Sequence, residues 1–463
     1  MKVFIDTYGC AKNEYDSSVL AASLEERGCS IVDDAFEADV IVLNTCGFIE
    51  DAKKESIERI FDLADFRRDD QKLIVTGCLS ERYHKELAVE IPEVDMFFGV
   101  NDYDDIPDII LSGNDKSSES GADRVGCILD RLPYRRRVIE DGAHFAYMKI
   151  AEGCYNACSF CAIPGIRGPF RSKKMEDCVK EAEDLAAKGI RELILIAQDT
   201  SQYGRDLYGE VRLPELLHKL CRIEGIEWIR LMYVYDNGIT DELIETIASE
   251  PKICNYIDMP IQHVSDNVLR LMRRKSSGSS IRAVIRKLRE RIPDVHIRTT
   301  LLVGFPGENQ EDMEELIGFI DTFEIDRLGA FAFSEEEGTP SFTMGGKVPE
   351  EERAARRDLV MTHQQAVSEK LNECKIGKVF DVIVDECVEM DAEDIVDDFN
   401  TVDEDTLSRV VNIYSGRTRY DAPEIDCAVT FVTNRMDLEP GDIVKVRITD
   451  TYEYDLEGEE VEQ

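Results

Sequence analysis

The stretch "GCYNACSFCAIP", residues 153 to 164, spaces Cys154, Cys158 and Cys161 by four and three residues and ends on an Ile-Pro step that cannot continue a helix. It grows out of the apolar run "AYMKIAEG", and ligands at the carboxyl end of a strand are where α/β barrels place their chemistry. Three thiolates can hold three irons of a cubic [4Fe-4S] cluster and leave the fourth without a protein ligand, free to bind a substrate. A structural zinc site would close its coordination with a fourth Cys or His. The nearest cysteine downstream, Cys178, lies in an apparent helix, so the spacing favours a catalytic cluster over a closed metal site.

Around this motif the alternation of apolar runs and helical patterns extends from about 142 to 370. Six runs stand out: "FAYMKIAEG", "ELILIAQD", "WIRLMYVY", "YIDMPIQ", "IRTTLLVG" and "LGAFAFS". Stretches such as "MEDCVKEAEDLAAKG" and "EDMEELIGFIDTF" read as the helices between them, which predicts a six-stranded, partly closed α/β barrel. Upstream, residues 1–112 alternate short runs (Val3 to Asp6, Val40 to Leu43, Leu73 to Val75) with helical patterns, as βαβ units of a Rossmann-like parallel sheet do. Residues 113–141 form a connection opened by the polar "GNDKSSESGAD", read as a linker. Downstream, 371–455 changes to strand-and-turn grammar ("VFDVIVDE", "CAVTFVTN", "DIVKVRITDT", with turns expected at "YSGRT" and "EPGD"), which suggests a small β-barrel.

Composition bounds the partners. The 463 residues carry 96 acidic against 55 basic side chains, a net charge of -41, which repels polyanions such as RNA and attracts basic proteins. Solubility, or adaptation to a salty cytoplasm, explains such a charge equally well. No apolar run approaches the length of a membrane span, and Asp6 stands where a secretory signal would be apolar, so the reading is cytoplasmic. Fourteen cysteines in such a chain point to metal or redox chemistry rather than disulfides.

Three of those cysteines repeat one context. "TYGCAKNEYDS" places Cys10, "LNTCGFIED" places Cys46 and "VTGCLSE" places Cys78, each after an apolar run and before a helical pattern. The carboxyl ends of parallel strands share one side, so three cysteines that each follow a strand can converge there. The competing reading is three buried small hydrophobes. Gly9, Gly47 and Gly77 stand beside them and would let backbone approach a bulky cluster.

The Cys-x3-Cys-x2-Cys run resembles the radical S-adenosylmethionine (SAM) superfamily. Two three-cysteine sites, a six-stranded barrel and a terminal β-barrel in this order resemble its methylthiotransferase family from end to end, in "AYMKIAEGC" (146–154), "AQDTSQYG" (197–204), "DMPIQHVSD" (258–266), "TTLLVGFPGE" (299–308) and "YDAPEID" (420–426). The second and last point to the branch that modifies the β-carbon of an aspartate in a small-subunit ribosomal protein. The resemblance implies two [4Fe-4S] clusters, an auxiliary one on Cys10, Cys46 and Cys78 and a SAM-cleaving one on Cys154, Cys158 and Cys161, with the last domain of the TRAM type. It also implies two uses of SAM: one methylates a sulfur at the auxiliary centre, the other yields the radical that removes hydrogen from the aspartate. The implied partners are a basic ribosomal protein, free or within its subunit, and an electron donor such as flavodoxin or ferredoxin. Tyr155 departs from the family's usual Asn, and residues 385–405 form an acidic expansion with eleven carboxylates.

Other positions are candidates on physical grounds. Gln198, Asp199 and Ser201 end the second barrel strand, where polar groups can bind the SAM aminoacyl end or the incoming aspartate. Gly304 and Gly307 end the fifth and allow backbone to approach a ligand, although ordinary turn chemistry explains both stretches too. Gln262 and His263 follow the fourth and are candidates for the cofactor's ribose and adenine edge; a lone His is more often structural. Arg167, Arg171 and Lys173 either hold an anionic group or form a hydrated basic rim. Outside this class, a non-catalytic iron-sulfur carrier would have little use for an open iron beside a full barrel. The tRNA-modifying methylthiotransferases are the nearer rival, since they share both clusters and all three domains. Residues 370–463, however, hold 9 Lys and Arg against 26 Asp and Glu, a net -17 that opposes phosphate.

Overall fold

The structure is a computed structural model that describes residues 1–103, 105–112, 132–388 and 412–461. The expected linker at 113–123 and residues 389–405 of the acidic expansion lie outside the described residues. Strands β1 (Lys2–Thr7), β2 (Ser30–Ile31), β3 (Val40–Thr45), β4 (Lys72–Gly77) and β5 (Met96–Phe97) form a parallel sheet in the order β2-β1-β3-β4-β5. Every residue of β3 is buried, as expected of a strand covered on both faces. Ile41, Leu43, Leu73 and Val75 pack against Ile60 and Leu63 on one face, while Val40, Val42 and Ile74 meet Leu20 and Leu24 on the other. Helices α1 (Ala11–Glu26), α2 (Glu50–Phe66) and α3 (Cys78–Glu90) leave the same edge of this sheet.

The central unit begins with β6 (Phe145–Lys149) and a short antiparallel pair, β7 (Ala151–Glu152) with β8 (Arg171–Ser172), and continues through β9 (Glu192–Ile196), β10 (Trp228–Leu231), β11 (Ile253–Asp258), β12 (His296–Val303) and β13 (Arg327–Ala332). The six runs read from the sequence are these six long strands, parallel throughout in the order β13-β12-β11-β10-β9-β6 and open between β13 and β6. Alternation separates two faces. Leu193, Leu195, Ile229, Leu231, Ile257 and Ile297 belong to the large core under the helices. Ile194, Ile196, Trp228 and Tyr256 point to the opposite face, where they meet Ile383 and Ala422 of the C-terminal unit.

That last unit is a closed barrel of β14 (Val379–Val388), β15 (Asn412–Thr418), β16 (Val429–Thr433), β17 (Ile443–Thr451) and β18 (Leu456–Glu460), in the order β14-β15-β16-β18-β17. "EPGD" is a turn, Asp442 N–H donating to Glu439 O at 3.0 Å. "YSGRT" is not: it is the body of β15, and a Cβ on Gly416 would stand 2.3 Å from Ile383 O, so the glycine serves a close strand approach. The loop after β15, which contains "YDAPEID", is tied to the polar end of the central sheet. Arg327 pairs with Asp421 at 2.8 Å, Arg298 with Asp426 at 3.2 Å, Arg417 with Glu192 at 2.8 Å, and Tyr256 Oη donates to Asp426 at 2.6 Å. Among the described residues no helix is long and apolar enough to cross a membrane.

Candidate active site

The barrel cysteines sit on a tightly folded loop. Gly153 takes φ +79°, and a Cβ there would lie 2.1 Å from Pro169 O. Ser159 braces the middle of the loop, donating from N to Met272 O at 3.0 Å and from Oγ to Leu271 O at 2.8 Å. The Ile-Pro step does not merely end this segment: it opens a short helix, Ile163–Arg167, with proline in the first turn where no N–H is needed. Burial pushes the Cys154 thiol up to about 11 and the Cys161 thiol to about 12, and Cys158 adds to both shifts, so the three sulfurs are electrostatic neighbours. Arg274 reaches to 3.9 Å from Cys158 Sγ.

The second triad is assembled from three loops. Cys10 caps α1, Cys46 follows β3, and Cys78 opens α3. Burial pushes the Cys46 thiol up to about 12, with Cys78 and Cys10 contributing; burial also raises Cys78, against the pull of Arg167. The neighbouring glycines act differently from the expectation. A Cβ on Gly9 would lie 2.9 Å from Cys46 Cβ, one on Gly47 2.6 Å from Leu79 Cα, and one on Gly77 2.4 Å from Thr45 O. They let the cysteine loops approach one another, because protein rather than open space faces each missing side chain.

Among the described residues no three His, Cys, Asp or Glu side chains surround one point as they would a single metal ion. A polynuclear cluster holds its thiolates further apart, and two sets of three thiols with no carboxylate or imidazole among them suit iron-sulfur ligation. The donor chemistry therefore fits the implied clusters.

One side chain joins the two sets. Arg167, at the end of the helix that follows Cys161, is 1% exposed and places Nη2 3.2 Å from Cys78 Sγ and 2.8 Å from Asn13 Oδ1. Its Nη1 donates to Asp16 at 2.6 Å and stands 3.5 Å from Glu152, while Lys149 pairs with both carboxylates. The cationic neighbours Lys149 and Arg167 hold the Glu152 carboxyl down at about 2 despite its burial. Beside the barrel loop a cleft of about 670 Å³ is lined by Tyr155, Asn156, Phe170, Asp199, Arg205 and Lys275, among others.

Comparison with known proteins agrees with this architecture. Residues 2–99 match the family described as uncharacterized protein family UPF0004, 148–320 the radical SAM superfamily and 400–461 the TRAM domain. The chain is 43% identical to ribosomal protein uS12 methylthiotransferase RimO of Clostridioides difficile (strain 630), covering 99% of this chain and 98% of that one. It is 44% identical to the protein of the same name from Clostridium tetani, with the same coverage. This chain belongs to the RimO family. Among solved structures, the radical SAM methyltransferase TsrM from Kitasatospora setae, with cobalamin and a [4Fe-4S] cluster bound, superposes with a TM-score of 0.56 at 16% identity, covering 73% of each chain, a likeness of fold.

Within this RimO-family chain the remaining candidates separate. Asp199 is buried and accepts from Asn156 Nδ2 at 2.8 Å and Ser201 Oγ at 2.5 Å, and burial raises its carboxyl. Gln198 donates to Glu152 at 2.8 Å, which ties it to the Arg167 network. Gln262 takes φ 72° and forms a bridge to Leu301. His263 is fully buried, with Nδ1 accepting from Ser265 N–H at 3.0 Å and Nε2 3.7 Å from Glu308. A Cβ on Gly304 would meet Arg353 at 2.3 Å and one on Gly307 would meet Leu271 at 2.8 Å, both at positive φ, so turn and packing account for both glycines. Arg171 and Lys173 are buried, not a hydrated rim: Arg171 donates to Arg167 O at 3.0 Å, and Lys173 pairs with Glu181 and donates to Tyr15 Oη at 2.9 Å. Asp16, Lys149, Glu152 and Asn156 were not singled out from the sequence. Only the one-face spacing of Asn13 and Asp16 on α1 hinted at a shared partner.

Proposed function

We propose that this chain inserts a methylthio group at the β-carbon of an aspartate in small-subunit ribosomal protein uS12, in the cytoplasm, with one [4Fe-4S] cluster on Cys154, Cys158 and Cys161 and a second on Cys10, Cys46 and Cys78. Electrons come from a donor of the flavodoxin or ferredoxin kind. When bound, the barrel cluster supplies the electron that cleaves SAM, and the second centre supplies the sulfur that is transferred. Asp199, oriented by Asn156 and Ser201, lines the cleft with a carboxylate suited to the cofactor's amino group. Arg167, Lys149, Asp16 and Glu152, all buried, tie the sheet that carries one triad to the barrel that carries the other.

The observation that carries this reading is the 3.2 Å approach of Arg167 to Cys78 Sγ, which joins the segment after one triad to a member of the other. The net -17 of residues 370–463 favours a basic protein substrate over a polyanion. Mass spectrometry of uS12 from cells with and without this gene tests it. A methylthio-aspartate present only with the gene is expected; unmodified uS12 together with a methylthiolated tRNA base would replace the protein substrate with RNA.

A further inference from the structure

Lys12 stands two residues after Cys10, in the first turn of α1, and is 7% exposed. Among the described residues it has no hydrogen bond and no ion pair; its Nζ lies 3.0 Å from the centroid of the Tyr233 ring. Two features make this an unfavourable place for a cation. Burial without a paired anion is costly, and the start of a helix carries the positive end of the backbone dipole. A ring face offsets part of that cost but supplies no counter-charge.

The ring itself is held firmly. Tyr233 follows β10 at the carboxyl edge of the barrel with φ 59°, a conformation uncommon for a bulky residue. Its N–H donates to Asp258 at 2.9 Å, and its carbonyl accepts from Thr200 N–H at 3.1 Å, next to Asp199 and Ser201. Two residues further on, the Tyr235 ring lies 4.3 Å from the Arg274 guanidinium, which in turn reaches to 3.9 Å from Cys158 Sγ. Lys12, two residues from Cys10, thus meets a ring at the carboxyl edge of the barrel, the edge that also carries Asp199 and the barrel cysteines. The auxiliary thiols already have a cation of their own in Arg167.

We infer that Lys12 is a specificity-determining residue that binds the side-chain carboxylate of the target aspartate, with the Tyr233 ring holding the ammonium in place. The inference rests on the reading of an aspartate substrate. A carboxylate clamped one bond from the β-carbon turns that carbon toward the barrel centre, and a purine base offers no such group. The other carboxylate the reaction brings in is that of SAM, and the test separates the two.

With the fully reconstituted protein, KM for uS12 and Kd for SAM are measured for the parent, Lys12→Met and Lys12→Arg, together with total iron. A uS12 variant carrying Asn at the target position is the second substrate. Loss of one charged hydrogen bond predicts a KM about 10-fold or more higher in Lys12→Met, with partial rescue in Lys12→Arg and with discrimination against the Asn substrate lost. Unchanged KM and undiminished discrimination in Lys12→Met overturn the proposal. So does a SAM Kd that rises as much as KM, which would assign the lysine to the cofactor, or a loss of iron, which would assign it to the cluster. A parent protein that does not modify uS12 at all overturns the function reading first, and this inference with it.

Discussion

The two cysteine triads present the same three-thiol chemistry and reach it by opposite routes. Cys154, Cys158 and Cys161 occupy one short loop braced by Ser159, so their proximity is almost built into the chain. Cys10, Cys46 and Cys78 lie on three loops and meet only because β1, β3 and β4 pair in parallel and end on one edge. The first site depends on local geometry and the second on tertiary order, so damage to packing between the domains should reach the second first.

The sharpest way to break this comparison is to remove each triad in turn. Parent protein reconstituted without oxygen should hold about eight irons, and changing either triad to Ala should leave about four. The variant lacking Cys10, Cys46 and Cys78 should still cleave SAM to 5'-deoxyadenosine but yield no methylthio product; the variant lacking the barrel triad should do neither. Iron near four in the parent would leave only one centre.

A smaller effect is expected from Arg167→Met. It leaves the buried Asp16 and Glu152 sharing Lys149 as their one cation among the described residues, and breaking such a buried pairing costs about 3 to 5 kcal/mol. Thermal unfolding should report the loss, and iron should fall toward about four as the auxiliary site fails before the local one. Equal loss from both sites would refute the contrast between local and assembled.

Acid should probe the brace of the local triad. His263 accepts from Ser265, which caps the helix Asp266–Leu271, and Leu271 and Met272 offer their carbonyls to Ser159. Burial lowers the His263 pKa from 6.5 to about 4. Its neutral form therefore supports the folded state fully above 6.5, and that support is lost as the pH falls through about 4, roughly 3 kcal/mol in all. Thermal melts of cluster-free protein between pH 4 and 7 should show this slope, and His263→Gln should flatten it.

The smallest effect is expected at Tyr155, the residue that departs from the family's usual Asn. It is 62% exposed at the lining of the cleft, its ring 6.0 Å from that of Phe170. Tyr155→Asn should change stability by less than about 0.5 kcal/mol in a thermal melt and leave the iron content unaltered.

These contrasts also explain what was legible in the sequence. The barrel triad is a candidate from spacing alone, and the second triad is one from a strand-cysteine-loop context repeated three times, because both patterns are written along the chain. The Arg167 network was not legible: Asp16 meets Arg167 across 151 positions, and no periodicity connects them. The glycines beside Cys10, Cys46 and Cys78 were recognised as sites of close approach, but the approaching group is the neighbouring loop, which only the packed sheet reveals. "YSGRT" reads as a turn by composition and is a strand because Gly416 lets β14 come close, a tertiary demand that overrides local preference.

The seating of the loop after β15 on the central sheet has a consequence for how the molecule is made. Arg327 finds its only carboxylate among the described residues in Asp421, so the sheet leaves the ribosome with a buried cation whose partner has yet to be synthesised. Synthesis runs from the amino terminus at about 5 to 20 residues per second, so this half-paired sheet persists for seconds in each new chain. A message broken upstream of codon 421 would release a protein with every cysteine of both triads and an unfinished floor, a natural client for quality control.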